Sequence, residues 1–330
     1  MKPLVDPYMR TVRDLRISIT DRCNFRCTYC MPDEGMQWLP RSDLLTYEEL
    51  TRVAALCVER FGFESIRITG GEPTVRAHLP VLIRRLADLG VDLAMTTNGA
   101  TLSHQAADLH RAGLKRINIS LDSLRADRFA AITGRDSLAA VLEGIDAALA
   151  SGMHPVKVNC VLVRGVNDDE VIDFAAFGRQ RGVEVRFIEF MPLDGDGNWT
   201  SGQVVPAGEV VSAIDSSWPL RTDDGRRPGD ASPAESFSYE DGSGRVGVIA
   251  SVTRPFCDTC DRIRLTAEGK LRNCLFSVRE TDLRGILRDG GSDDDLAAAI
   301  EGEVGRKWAG HAIGQVHFIR PARSMSQIGG

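Results

Sequence analysis

The sequence predicts an α/β protein built on a barrel-like parallel sheet of about six βα units, short of a complete eight-fold barrel. Three observations predict it. β-rich runs alternate with helix-spaced ones from residue 15 to about 190, one face of each run is apolar, and the other is polar and often charged. Regular βα alternation gives parallel strands joined by right-handed crossovers, with helices on the outside.

Side chains point to opposite faces with period two, so each strand can be read in turn. LRISIT (15–20) sets Arg16, Ser18 and Thr20 against Ile17 and Ile19, and SIRIT (65–69) sets Arg67 and Thr69 against Ile66 and Ile68. VDLAMTT (91–97) offers Asp92, Thr96 and, just beyond it, Asn98; KRINISLD (115–122) offers Asn118, Ser120 and Asp122. PVKVNCVLV (155–163) presents Lys157 and Asn159, and VEVRFIEF (183–190) presents Glu184 and Arg186. Between them, T-Y-E-E at Thr46 is a capping box that starts a helix, and another helix starts near Asn167 with Glu170 three residues on.

After residue 191 the pattern breaks. MPLDGDGNWTSGQ is loop-like, and LRTDDGRRPGDASPAES (220–236) is polar and rich in Gly and Pro, the composition of an exposed loop or linker. A compact cysteine-bearing segment follows, then helical patterns near 279–289 and 292–307, and the ending SMSQIGG. Two parts are expected, 1–219 and 220–330.

The polar strand faces are either the wet side of a one-sided sheet or the lining of an interior. Outside helices favour the interior, and an interior holding Arg, Lys, Asp and Asn is costly unless a large polar ligand partners them. Forty Lys and Arg against forty-six Asp and Glu give a net charge of −6. That balance does not suit a nucleic-acid or acidic-membrane partner, so an anionic ligand must be met by locally placed cations. No segment reaches the roughly 18 apolar residues of a membrane span, and MKPLVDPYMRTVRDLR lacks a signal peptide's apolar core. A cytoplasmic protein is expected, whose eight cysteines are thiols or metal ligands. Cys57 and Cys160 sit in apolar stretches and read as buried small hydrophobes.

The other six form two groups. DRCNFRCTYC carries Cys23, Cys27 and Cys30 just past the first strand. Structural zinc wants a fourth ligand, and the nearest candidates are Cys57 and His78. A four-iron cluster on three cysteines instead leaves one iron open to a ligand. ITGGEP (68–73) follows the second strand with a Gly pair that lets the backbone approach a neighbour closely. PFCDTCDRIRLTAEGKLRNC supplies Cys257, Cys260 and Cys274. Its Cys-x-x-Cys alone is compatible with zinc completed by His311 or His317, a redox dithiol, or a cluster. Arg262 and Arg264 project the same way from an extended segment and suit phosphate oxygens.

Cys-x-x-x-Cys-x-x-Cys with Tyr29 before the last cysteine, together with ITGGEP, resembles the signature of the radical S-adenosylmethionine superfamily. Adding the second triad, FCDTCDRIRLTAEGKLRNCL and the final Gly-Gly, nearly the whole chain resembles the GTP 3′,8-cyclase family of molybdenum cofactor biosynthesis, most weakly over 220–245. The resemblance implies a partial (α/β)6 TIM-like barrel whose C-terminal region closes the mouth and carries a second iron–sulfur cluster. It implies a lyase with two [4Fe-4S] clusters and S-adenosylmethionine as cofactors. The cluster on Cys23, Cys27 and Cys30 would chelate S-adenosylmethionine, and the one on Cys257, Cys260 and Cys274 would hold GTP by its guanine.

In that family the 5′-deoxyadenosyl radical takes hydrogen from ribose C3′, the carbon radical attacks C8, and reduction and protonation give 3′,8-cyclo-7,8-dihydro-GTP. By matched position, Tyr29, Gly71, Ser120 and Met191 would contact S-adenosylmethionine. Arg16, Arg67, Thr96, Lys157, Arg262, Ile263 and Arg264 would contact GTP. Gly329 and Gly330 would enter the active site and act with Arg262 and Arg264 in catalysis. A low-potential electron donor, a downstream cyclic pyranopterin monophosphate synthase and a homodimer are the implied partners. The alternatives are another radical S-adenosylmethionine enzyme with an auxiliary cluster, such as a peptide-modifying one, and a non-catalytic zinc or iron–sulfur module.

Overall fold

The computed structural model describes residues 2–32, 37–223, 231–316 and 318–329. The six expected strands form as β1 (Asp14–Ser18), β2 (Ser65–Thr69), β3 (Asp92–Thr97), β4 (Arg116–Ser120), β5 (Val156–Leu162) and β6 (Glu184–Glu189). Each pairs parallel with the next. The pairing register keeps like faces together. Ile17 sits level with Ile68, and Ile68 with Met95, while Thr96, Asn118, Lys157 and Glu184 form one polar row. Ile17, Ile68, Ile117, Ile119 and Val158 are fully buried, each contributing about 1.5–3 kcal/mol over exposure.

That apolar face is covered by crossover helices, including α1 (Tyr47–Phe61), α2 (Leu79–Ala87), α3 (Ala106–Arg111), α4 (Ala126–Thr133), α5 (Leu138–Ala150) and α6 (Val171–Arg181). The capping box at α1 is present in both directions: Glu49 N donates to Thr46 Oγ1 at 3.1 Å, and Thr46 N to Glu49 Oε2 at 2.7 Å. The pair at Asn167 works differently. A 3-10 turn, Asp168–Glu170, precedes α6, and Asn167 provides no side-chain cap. Instead Asn167 Nδ2 donates to the carbonyls of Asp122 and Val161, and Glu170 accepts from Ser123 Oγ and Leu124 N. Buried acceptors for Asn167 and buried donors for Glu170 outcompete the local cap.

The last third adds to both edges of this sheet. After α7 (Ala207–Ser217), strands β7 (Leu220–Thr222), β8 (Glu235–Tyr239) and β9 (Arg245–Ile249) follow, with β9 parallel to β6. On the other edge β10 (Arg262–Leu265) lies parallel to β1, and β11 (Lys270–Arg272) and β12 (Thr281–Asp282) extend it antiparallel. The twelve-stranded order is β12-β11-β10-β1-β2-β3-β4-β5-β6-β9-β8-β7.

The stretch 220–236, expected as loop or linker, is therefore strand at both ends, with residues 224–230 outside the described residues. Its ends are held by packing. Tyr239 is buried edge-on against Trp218, and Arg179 lies over both rings. The later helical patterns form as α8 (Leu283–Arg288) and α9 (Asp293–Val304), and α10 (Met325–Ile328) ends the described chain. Among the described residues, no helix is long and apolar enough to cross a membrane.

Candidate functional site

The polar strand faces line a cavity of about 510 Å³. They are the lining of an interior, not a solvated side. Cys23, Cys27 and Cys30 reach it from the loop after β1, at the C-terminal ends of the strands. Gly71 N donates to Thr20 O at 2.7 Å and Glu72 N to Arg22 O at 2.8 Å, tying the turn after β2 to the cysteine loop. A Cβ on Gly70 would lie 2.7 Å from Thr20 O, and one on Gly71 2.5 Å from Asp21 O. The glycine pair is thus required by backbone approach to this loop, while both glycines also face the cavity.

Glu72 is buried and accepts from Thr74 N, Thr97 Oγ1 and Asn98 N, which locks the ends of β2 and β3 together. Tyr29 donates to Asp122 at 2.6 Å, and Asp122 also accepts from Val161 N at 2.8 Å. Burial pushes the Asp122 carboxyl up to about 6. Burial likewise pushes Cys23 up to about 11, Cys30 up to about 12, and Cys27 well above its ordinary value. Left alone these thiols stay neutral; to serve as thiolate ligands they would need a cationic centre between them, such as a bound iron cluster.

The second triad lies at the opposite end of the same cavity. β10 begins two residues after Cys260, and Arg262 sits level with Asp14, the first residue of β1. Cys274 follows β11, which runs back antiparallel towards that end. The first triad follows the last residue of β1, so the two lie towards opposite ends of that strand. Burial raises Cys257 and Cys274. It raises Cys260 too, but Lys307 and Arg262 outweigh it and the thiol ends below its ordinary value.

A single zinc ion fits poorly here. Among the described residues no three Cys, His, Asp or Glu side chains gather tightly enough to hold one metal ion. His311 faces the cavity, but its ring Nδ1 takes the N–H of Ile313 at 3.4 Å. His317 lies outside the described residues. Three thiols opening onto a cavity suit a larger cluster that leaves one iron accessible.

Between the triads the lining is cationic. Arg16, Arg67, Arg116, Lys157, Arg186, Arg262 and Arg264 all contribute. Among the described residues, the buried Nε atoms of Arg16, Arg67 and Arg262 have no hydrogen-bond partner, a costly state unless an acceptor enters. Burial, then repulsion from Arg264 and Arg262, holds Arg16 well below its usual value; burial and Arg262 bring Arg264 down to about 10. Lys157 falls to about 8 through burial and Arg186, with Glu184 pulling the other way. Like charges held together in this way match a polyanion such as a triphosphate.

Thr96, Ser120 and Met191 also line the cavity. Ile263 does not: its side chain turns into the apolar core between Arg262 and Arg264, leaving only main chain to meet a ligand. Gly329 is buried against Ser18 and Thr69, and Gly330 lies outside the described residues. Cys57 and Cys160 are fully buried in the apolar core. Several functional neighbours carry no local sequence signal: Arg116 in the lining, and Arg10 and Lys307 beside the second triad. Glu189 is another; it accepts from Ala207 N, Val252 N, Thr253 N and Thr253 Oγ1 and anchors the turn leading to Cys257.

A parallel wound sheet with a three-thiol loop after its first strand defines a radical S-adenosylmethionine enzyme. Residues 17–178 match the Radical SAM superfamily, and residues 183–313 match Molybdenum Cofactor Synthesis C. The GTP 3′,8-cyclase of Streptomyces coelicolor is 46% identical over 329 residues, covering 99% of this chain and 96% of the relative. That of Rhodopirellula baltica is 48% identical over 331 residues, covering 99% and 92%. The chain belongs to the GTP 3′,8-cyclase family. Among solved structures, Streptococcus suis SuiB bound to precursor peptide SuiA superposes with a TM-score of 0.60 over 89% of this chain and 68% of its own, at 14% identity, a likeness of fold alone.

Proposed function

We propose that this chain cyclises GTP to 3′,8-cyclo-7,8-dihydro-GTP, the first step of molybdenum cofactor biosynthesis, as a lyase using S-adenosylmethionine and two [4Fe-4S] clusters. The observation that carries this reading is the placement of two three-thiol groups at opposite ends of one cation-lined cavity. One end suits a radical source, the other a substrate, and the cations between them a triphosphate. When bound, the first cluster supplies the electron that cleaves S-adenosylmethionine and so the radical that takes hydrogen from ribose C3′.

The residues of the chain hold and orient. Cys23, Cys27 and Cys30 take the first cluster; Tyr29, Gly71, Ser120 and Met191 surround S-adenosylmethionine. Cys257, Cys260 and Cys274 take the second cluster. Arg16, Arg67, Thr96, Lys157, Arg262, Arg264 and the main chain of Ile263 receive GTP. Gly329 packs the 325–329 segment against Ser18 and Thr69, and in this reading Gly329 and Gly330 act with Arg262 and Arg264 in catalysis, where close packing excludes water and oxidants. In this reading residues 1–219 form the radical unit and 220–330 carry the second cluster. A low-potential donor provides electrons, a cyclic pyranopterin monophosphate synthase takes the product, and the enzyme works in the cytoplasm as a homodimer.

The test is anaerobic incubation of reconstituted, reduced protein with S-adenosylmethionine, with and without GTP. GTP-dependent formation of 5′-deoxyadenosine and a cyclised guanosine product is expected. Cleavage that ignores GTP would overturn the reading.

A further inference from the structure

Lys307 follows α9 and is buried, 4% exposed. All three of its donors are used, and none goes to a carboxylate. Nζ donates to the carbonyl of Arg262 at 2.6 Å and of Asn273 at 2.8 Å, and lies 3.7 Å from Cys260 Sγ. Arg262 opens β10 just after Cys260, and Asn273 immediately precedes Cys274. One ammonium therefore ties together the two backbone segments that carry two of the three thiols.

A buried ammonium that hydrogen-bonds two neutral carbonyls and a sulfur, with Asp261 within electrostatic reach, is better compensated when the sulfur belongs to an anionic group. The backbone of the third cysteine is held by Arg10, itself paired with Asp6 at 2.5 Å. Arg10 Nη1 donates to the carbonyl of Cys257 at 2.6 Å and to that of Ala309 at 2.7 Å, two residues beyond Lys307. At the first triad a cation also meets the backbone, Arg26 Nη1 donating to the carbonyl of Cys23 at 2.8 Å, but Cys23 Sγ itself receives neutral donors, Phe25 N at 3.4 Å and Asn98 Nδ2 at 3.8 Å.

We propose that Lys307 is a positioning residue of the second thiol triad, fixing Cys260 relative to Cys274 and keeping a positive charge against the cluster they hold. Charge and N–H···S contacts at the ligating sulfur favour the more negative, reduced state of such a cluster. Lys307 accordingly raises its potential. This rests on the two-cluster reading above.

The experiment uses the full chain with Cys23, Cys27 and Cys30 replaced by Ala, so that only the second cluster is loaded. Iron per chain and the midpoint potential by electron paramagnetic resonance are compared with Lys307 intact and as Lys307→Met, Lys307→Gln and Lys307→Arg. A negative shift and weaker iron retention are expected for Met and Gln, with Arg returning the potential towards that of Lys. Should Lys307→Met not fold, Lys307→Gln, which keeps an amide donor, reads the same shift. Unchanged potential and full iron in Lys307→Gln would overturn the inference alone. Absence of iron even with Lys307 intact would overturn the two-cluster reading and the inference together.

Discussion

Arg264 donates from Nη1 to the carbonyl of Gly329 at 2.6 Å, fastening the final turn of the described chain to a strand that starts beside the second triad. Gly329 has φ of +84°, and a Cβ there would stand 2.5 Å from Thr69 Oγ1 and 2.9 Å from Ser18 Cβ. Gly329→Ala must therefore displace the segment from the mouth of β1 and β2. Turnover is expected to fall on the order of 10²-fold while iron content stays at two clusters. Equal turnover at equal iron would make the contact idle.

Lys157 gives the site a pH dependence. Its value near 8, against an ordinary 10.5, means the ammonium is present below about pH 8 and lost above it. Affinity for GTP should weaken as pH rises through 8, measured by equilibrium binding from pH 7 to 9, and Lys157→Arg should hold its affinity across that range. Stability moves the other way. Between about 8 and 10.5 the unfolded chain binds the additional proton, so this residue's contribution to folding improves with rising pH.

Gly71→Ala pushes a methyl group into the carbonyls of Asp21 and Arg22, next to Cys23. The first triad should lose iron selectively. Metal analysis and absorbance after reconstitution would register about one cluster remaining. Retention of both would mean that the loop moves without cost to its thiols.

Glu189→Ala removes the shared acceptor of three backbone N–H groups and the Thr253 hydroxyl in a buried site. A loss of about 3 kcal/mol is expected from chemical denaturation of the metal-free protein. A change within 0.5 kcal/mol, roughly that of a surface substitution, would show that water replaces the carboxylate.

Cys57→Ala and Cys160→Ala should each leave iron content unchanged and cost about 1 kcal/mol, since both thiols are core atoms. Iron loss in either would place that thiol in a metal site.

Much of this was legible because β1 to β6 obey period two: Arg16, Arg67 and Lys157 share a face opposite Ile17, Ile68 and Val158, and with crossover helices outside that pattern favours a polar interior. Both triads were visible as spacing. The flanking strands were not. β7 is three residues long and borders a Gly- and Pro-rich stretch, and its place depends on β8, itself placed by β9 on β6. Asn167 and Glu170 looked like a local cap, but buried partners around Asp122 and Ser123 claimed both side chains. Lys307 and Arg10 are single cations far in sequence from the thiols they support, and no periodicity marks a residue whose role is set by tertiary contact alone.

The sheet order also has a consequence for how the molecule comes into being. β1 is among the first elements made, yet one of its two neighbours, β10, is among the last. Until residues 262–265 arrive, β1 is a bare rim of unpaired N–H and C=O groups on an otherwise complete βα array. The emerging chain must keep that rim from other strands through most of its synthesis, and the strand that finally covers it brings Arg262 and Arg264 with it. Closing the scaffold and furnishing the cavity with these guanidinium groups are one event.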